Sequence, residues 1–337
     1  MAGIRDPFAR PDGSRAGTPE EFYENRAYLK ELMQRYVYGY MPALPRKAEV
    51  SEIYREDILG GAAVNEYRTI SFDGLSMKVR IAYPKGAKKL PAIMRLDYLC
   101  GREYAPSVEN EMLKAGRYVF VTVSRRDLCE DEPSSREGLP YAAEGLGAVG
   151  IWGLGACVCL DHISGMEAVD ASKVALTGHS RDGKAAIFAA AMDERFAAVI
   201  PNGSGCGGAG SFFVRGPGSE SLEIIVKNLG AWFSERLLDF AGEEKLCKLP
   251  ADMIFSLALI APRPILCTEA ENDLWANPRG TFANVTAVNR ICEFLGAGKT
   301  SAAWSCVRET TIRRMRTGVR SLSSRTGCFT GKPRRRT

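Results

Sequence analysis

A chain of 337 residues, 45% hydrophobic and 25% charged, can hold one large globular domain or two small ones, and no stretch reaches the roughly eighteen unbroken apolar residues of a membrane helix. Residues 1–15 are polar and broken by Pro and Gly, without the apolar core of a secretory leader, which predicts a cytoplasmic protein with no membrane partner. The net charge of +5 hides an asymmetry: residues 299–337 carry eleven Lys/Arg against one acid, Glu309, so the remainder holds 34 basic and 39 acidic side chains, or −5.

The first element is a helix over residues 19–37. Thr18 caps it, Pro19 suits its first turn, and Glu21 completes a capping box, while Leu29, Leu32, Met33, Tyr36 and Val37 fall at helical spacing. Residues 66–72 and 75–83 alternate apolar and polar around Asp73-Gly74, the signature of a β-hairpin. Strands follow at 92–96 and 118–123, then a long apolar helix over 145–163, a strand at 173–177 and an alanine-rich helix over 184–191. The last predicted strands are 197–200 and 264–268.

An antiparallel start followed by alternating strands and helices predicts an α/β fold, a mostly parallel sheet covered on both faces. Residues 203–258 interrupt the alternation and are expected to form a helical, cap-like insertion. On this reading residues 1–17 are a disordered N-terminus, 18–298 one domain, and 299–337 a basic tail too poor in apolar residues to order itself.

Ten scattered cysteines, without metal-type spacing, read as reduced and mostly buried thiols. The two histidines, His162 and His179, are too few for a His-based metal site, and neither metal nor cofactor is expected.

The sharpest local signal is Val174-Ala175-Leu176-Thr177-Gly178-His179-Ser180-Arg181-Asp182-Gly183-Lys184. A strand ending in Gly-X-Ser and running straight into a helix is the nucleophile elbow of the α/β-hydrolase three-layer sandwich. The tight turn lifts the Ser180 hydroxyl to the carboxyl edge of the sheet, and the amide of Arg181 at the helix start suits an oxyanion. Asp182 occupies the usual second glycine position, with Gly183 next. Alone, such a turn also fits a serine with no chemistry.

Further blocks accompany it: Met192-Asp193-Glu194-Arg195-Phe196, Ser204-Gly205-Cys206-Gly207-Gly208, residues 257–264 and Asp273-Leu274-Trp275-Ala276-Asn277-Pro278, with Tyr38-Gly39 and Pro42 upstream. Together they resemble the glucuronoyl esterases, a carbohydrate esterase family, from about residue 20 to 298. The resemblance implies a metal-free serine esterase acting on esters of glucuronic acid or its 4-O-methyl form, in a small molecule or an oligosaccharide. It makes Ser180 the nucleophile, Arg181 the oxyanion support, Lys184 a hydrogen-bond donor to sugar hydroxyls, and Trp275 a platform for the sugar ring. A solvated helix residue remains the alternative for Lys184, and a core role for Trp275. Many members carry a Glu where this chain has Gly203; others draw the acid from the loop after a later strand, expected here to hold Glu269, Glu271 and Asp273, of which Asp273 fits best.

An activated serine of this kind takes its proton to a histidine late in the chain. No histidine follows Ser180. The gap coincides with the start of the basic segment, which suggests that a shifted reading frame, or a rearranged gene end, replaced the last strand and the histidine loop. Translating the coding DNA in its other two frames tests this, and the idea fails if neither encodes a Gly-rich histidine loop. The competing reading is a non-catalytic carbohydrate-binding relative. A nucleic-acid-binding arm is disfavoured, because the tail lacks interleaved aromatics.

Overall fold

The computed structural model describes residues 3–44, 47–101, 106–132, 141–298 and 301–307. Its centre is a nine-stranded sheet in the order β1-β2-β3-β5-β4-β6-β7-β8-β9. The antiparallel part is β1 (Glu49–Ile58), β2 (Ala63–Phe72) and β3 (Leu75–Pro84), with β3 running antiparallel to β5 (Val119–Ser124). From β5 the sheet continues in parallel through β4 (Leu90–Asp97), β6 (Val169–His179), β7 (Ala198–Asn202), β8 (Ile265–Ala270) and β9 (Ala302–Val307). The expected hairpin closes at Phe72↔Leu75, with Asp73 and Gly74 both at positive φ (47° and 79°), as a two-residue primed turn requires.

The N-terminal helix, α1 (Pro19–Met33), carries the complete capping box on Thr18 and Glu21, then widens into a π-turn over Gln34–Tyr38 instead of continuing regularly to 37. The remaining helices are α2 (Pro106–Lys114), α3 (Ala148–Ser164), α4 (Arg181–Met192), α5 (Leu222–Leu229), α6 (Glu235–Leu238), α7 (Glu243–Leu246), α8 (Ile254–Ile260) and α9 (Pro278–Phe294). Helix α3 is buried along nearly its whole length and packs on α4, which explains its unbroken apolar sequence. The segment between β7 and β8 carries the short helices α5 to α8.

Two boundaries differ from the sequence reading. Residues 3–17 are tied down rather than disordered: Phe8 packs against Phe22 and Phe294, Ala16 is buried, and Arg5 donates to the Leu249 and Cys247 carbonyls. The sheet also runs past residue 298, because β9 pairs with β8 from Ile265↔Ala302 to Ala270↔Val307, and Trp304 meets Phe282 edge-on at 5.1 Å. The strand expected to be lost is therefore present, and the rest of the basic segment lies outside the described residues. Seven of the nine described cysteines are buried, and none forms a disulfide. Among the described residues, no helix is long and apolar enough to cross a membrane.

Candidate active site

Ser180 follows the last residue of β6 and caps α4 at φ 55° and ψ −121°, a conformation that costs a non-glycine residue about 1–3 kcal/mol. The neighbours enforce it. The Ser180 amide donates to the Asn202 carbonyl (2.8 Å), at the end of β7, and the Ser180 carbonyl accepts from the Lys184 amide (3.1 Å) in the first turn of α4. A Cβ on Gly178 would lie 2.4 Å from the Asp182 carbonyl carbon, and one on Gly183 would stand 3.0 Å from the Gly178 carbonyl oxygen. Strand and helix thus meet closely enough to present the half-buried Ser180 side chain at the carboxyl edge of the sheet.

Arg181 opens α4, where the first helical amides have no partner within the helix. Its guanidinium lies 4.7 Å over the Trp232 ring and pairs with Asp131 at 2.5 Å. The Trp232 indole donates to the other Asp131 oxygen (2.9 Å). Asp182 turns inward to buried Arg125 (2.5 Å). Burial pushes the Asp182 carboxyl up to about 7; Arg125 pulls the other way and Asp97 adds to the rise.

Lys184 is one turn further along α4 and only 1% exposed. Its ammonium donates to the Ser204 carbonyl (2.7 Å), the Cys206 carbonyl (2.6 Å) and Glu220 Oε2 (2.7 Å), which takes up all three of its N–H groups. A sugar hydroxyl reaches it only by displacing one of these acceptors. The Glu220 amide in turn donates to the Trp275 carbonyl (3.0 Å), which draws the loop after β8 toward the Lys184 side of the site. There the Trp275 ring is 50% exposed, on the surface rather than in the core.

Asp273 caps the short turn Leu274–Ala276, its side chain accepting from the Ala276 amide. Glu269 does not lie in this loop. It belongs to β8, is buried, and stands near Thr281, Asp273 and Lys184. Burial raises its carboxyl to about 8, so near neutral pH it is largely protonated and a poor carboxylate partner for an imidazolium. Gly203, where many esterases of the resembled family carry the acid, sits at φ 51° with its amide on the Thr268 carbonyl (2.8 Å).

Both histidines have partners other than Ser180. His179 faces sideways, with Nδ1 2.8 Å from Asn202 Oδ1. His162 lies in the last turn of α3, seven residues before β6 begins, so the length of that strand, on the order of 30 Å, separates it from the elbow. There Arg68 Nη1 meets His162 Nε2 at 3.0 Å, and burial, reinforced by Arg68, lowers the imidazole pKa. Among the described residues, no group of three or more His, Cys, Asp or Glu is placed to hold a metal ion.

Sequence reasoning missed Asp131, Arg125, Trp232 and Glu220. One signal was available for the first two: Arg125-Arg126-Asp127 and Glu130-Asp131-Glu132 follow directly on a buried parallel strand, at the sheet edge where such folds keep their sites.

The strand order and the strained serine elbow define an α/β hydrolase. Residues 69–296 match the fungal glucuronyl esterase family, and the chain belongs to that family. It is 28% identical to Carbohydrate esterase MZ0003 from an unknown prokaryotic organism, over 88% of this chain and 79% of that protein. It is 27% identical to 4-O-methyl-glucuronoyl methylesterase 1 of Wolfiporia cocos, over 87% of this chain and 72% of that one. The solved glucuronoyl esterase from Solibacter usitatus superposes with a TM-score of 0.81 at 25% identity, covering 92% of this chain and 94% of that chain.

Proposed function

We propose that this chain is a serine carboxylic-ester hydrolase for esters of glucuronic acid or its 4-O-methyl form, with turnover impaired by the lack of a catalytic histidine. The observation that carries the reading is the strained Ser180 elbow at the sheet edge, flanked by Arg181 and by the Lys184–Glu220–Trp275 cluster. Methyl glucuronate esters as substrates come from the relatives' activity, and the half-exposed Trp275 ring suits a sugar face.

In this reading Ser180 Oγ attacks the ester carbonyl carbon, and the carbonyl oxygen becomes an oxyanion held by the Arg181 amide and guanidinium. The bond to the alcohol breaks, the alcohol leaves with a proton, and water then cleaves the glucuronoyl-serine ester. The first step needs an acceptor for the Ser180 proton. With His179 turned to Asn202 and His162 a strand length away, solvent is left to take it. Enzymes stripped of a triad member keep roughly 10³–10⁴-fold catalysis over water through binding and the oxyanion site. Asp273, in the loop after β8, is assigned the acid role, which in a complete triad is to orient an imidazole.

The test is hydrolysis of benzyl or methyl glucuronate by the protein and by Ser180→Ala. A slow rate that disappears in the variant supports the proposal, and equal rates refute it. The chain's lack of a histidine after Ser180 favours a second reading, a carbohydrate-binding relative without turnover. Glucuronate binding with no Ser180-dependent hydrolysis would establish that reading instead.

A further inference from the structure

We infer that Asp131, backed by the Trp232 indole, is a positioning residue that fixes the Arg181 guanidinium beside Ser180 for an oxyanion. The inference rests on the esterase reading, in which Arg181 stabilises that charge. An arginine side chain carries about 2 kcal/mol of rotamer freedom, and a half-exposed one at a helix start has no intrinsic reason to stay in one place. Here it is held from two directions. Asp131 Oδ2 accepts from Nη1 at 2.5 Å, and the Arg181 guanidinium carbon lies over the Trp232 ring, 4.7 Å from its centre. The two holds are joined, because Trp232 Nε1 donates to Asp131 Oδ1 (2.9 Å).

The carboxylate is itself anchored. Arg125 Nη1 stands 3.7 Å from Asp131 Oδ2, and Arg125 stacks on Trp152 at 4.4 Å while its Nε pairs with Asp182. Cations and carboxylates alternate as Asp182, Arg125, Asp131, Arg181, so Asp131 shares its charge between two guanidiniums and does not cancel that of Arg181. A guanidinium has five N–H donors, and Asp131 takes one of the two on Nη1, leaving others for a ligand. A donor fixed before charge develops needs no reorganisation when the oxyanion forms, which is where such a site gains its effect.

The experiment uses the full chain and its variants Asp131→Asn, Asp131→Glu, Trp232→Phe and Ser180→Ala. The first probe is phenylboronic acid, which bonds to a serine oxygen as a tetrahedral anion while the serine proton passes to solvent. The second is methyl glucuronate, a neutral ester that needs no oxyanion support. Asp131→Asn is expected to weaken boronate binding about tenfold and ester binding less than about twofold. Asp131→Glu should recover part of the boronate affinity, and Trp232→Phe, which keeps the ring and loses the donor, should shift it in the same direction by less. A third measurement, phenylglyoxal modification of Arg181 followed by peptide mass spectrometry, needs no competent serine, and its rate should rise several-fold in Asp131→Asn. An unchanged modification rate, or equal loss of both ligands, overturns the inference. Boronate that binds wild type no better than Ser180→Ala refutes the esterase reading of Ser180, and the modification rate then decides the role of Asp131.

Discussion

Glu269 stands on β8 with its carboxyl 2% exposed, and burial moves its pKa from 4.5 up to about 8. The folded chain therefore keeps this proton up to about pH 8, while the unfolded chain releases it near 4.5. Between those values the native state binds more protons than the unfolded state, so stability falls as pH rises through the window. At about 1.4 kcal/mol per pH unit across that gap, the loss is on the order of 5 kcal/mol once the group is fully ionised. Glu269→Gln keeps the shape and removes the titration. Asp182, raised to about 7 in both proteins, cancels in the comparison. Urea unfolding of wild type and variant from about pH 5 to about pH 9 reads the difference directly. Wild type should lose stability relative to the variant by several kcal/mol toward the alkaline end, with near equality at the acid end. Parallel profiles would show that Glu269 ionises without penalty, and would refute the argument from burial.

Other consequences follow from the site geometry. Gly178→Ala sets a Cβ against the backbone of Asp182, which has no room to give; it should cost about 2 kcal/mol or more in chemical unfolding and remove Ser180-dependent hydrolysis. Lys184→Met leaves Glu220 buried without its cation, and a drop of about 3–5 kcal/mol in unfolding free energy is expected. Trp275→Ala, at a half-exposed position, should change stability by less than about 0.5 kcal/mol while weakening glucuronate ester binding about fivefold by calorimetry.

Features written in neighbouring residues were legible in the sequence. The capping box of α1, the Asp73-Gly74 hairpin and the Ser180 elbow each depend on a few consecutive side chains, and the structure contains all three. Strand β1 escaped notice because most of it faces water, so it shows no period-two alternation. The Ala- and Ser-containing strand β9 has little strand character of its own and gains its place by pairing with β8. The sequence places Glu269 in a loop because an acid inside a buried parallel strand breaks the apolar pattern such strands usually show. The N-terminal segment looked disordered by composition, yet Phe8 and Ala16 suffice to anchor it. The contacts of Asp131, Trp232 and Glu220 are hidden from the sequence for a different reason. Their partners lie 50, 101 and 36 residues away, so only the fold brings them to the elbow.

On the proposed reading the nucleophile is in place and the proton acceptor is missing. Added imidazole tests both halves at once, since a small diffusible base can take the role of the histidine that the proposed mechanism lacks. Hydrolysis of benzyl glucuronate should be slow in wild type, rise with imidazole concentration, and show no such rise in Ser180→Ala beyond the solution reaction. A wild-type rate already fast and indifferent to imidazole would contradict the missing base. An equal imidazole response in Ser180→Ala would contradict the role of Ser180.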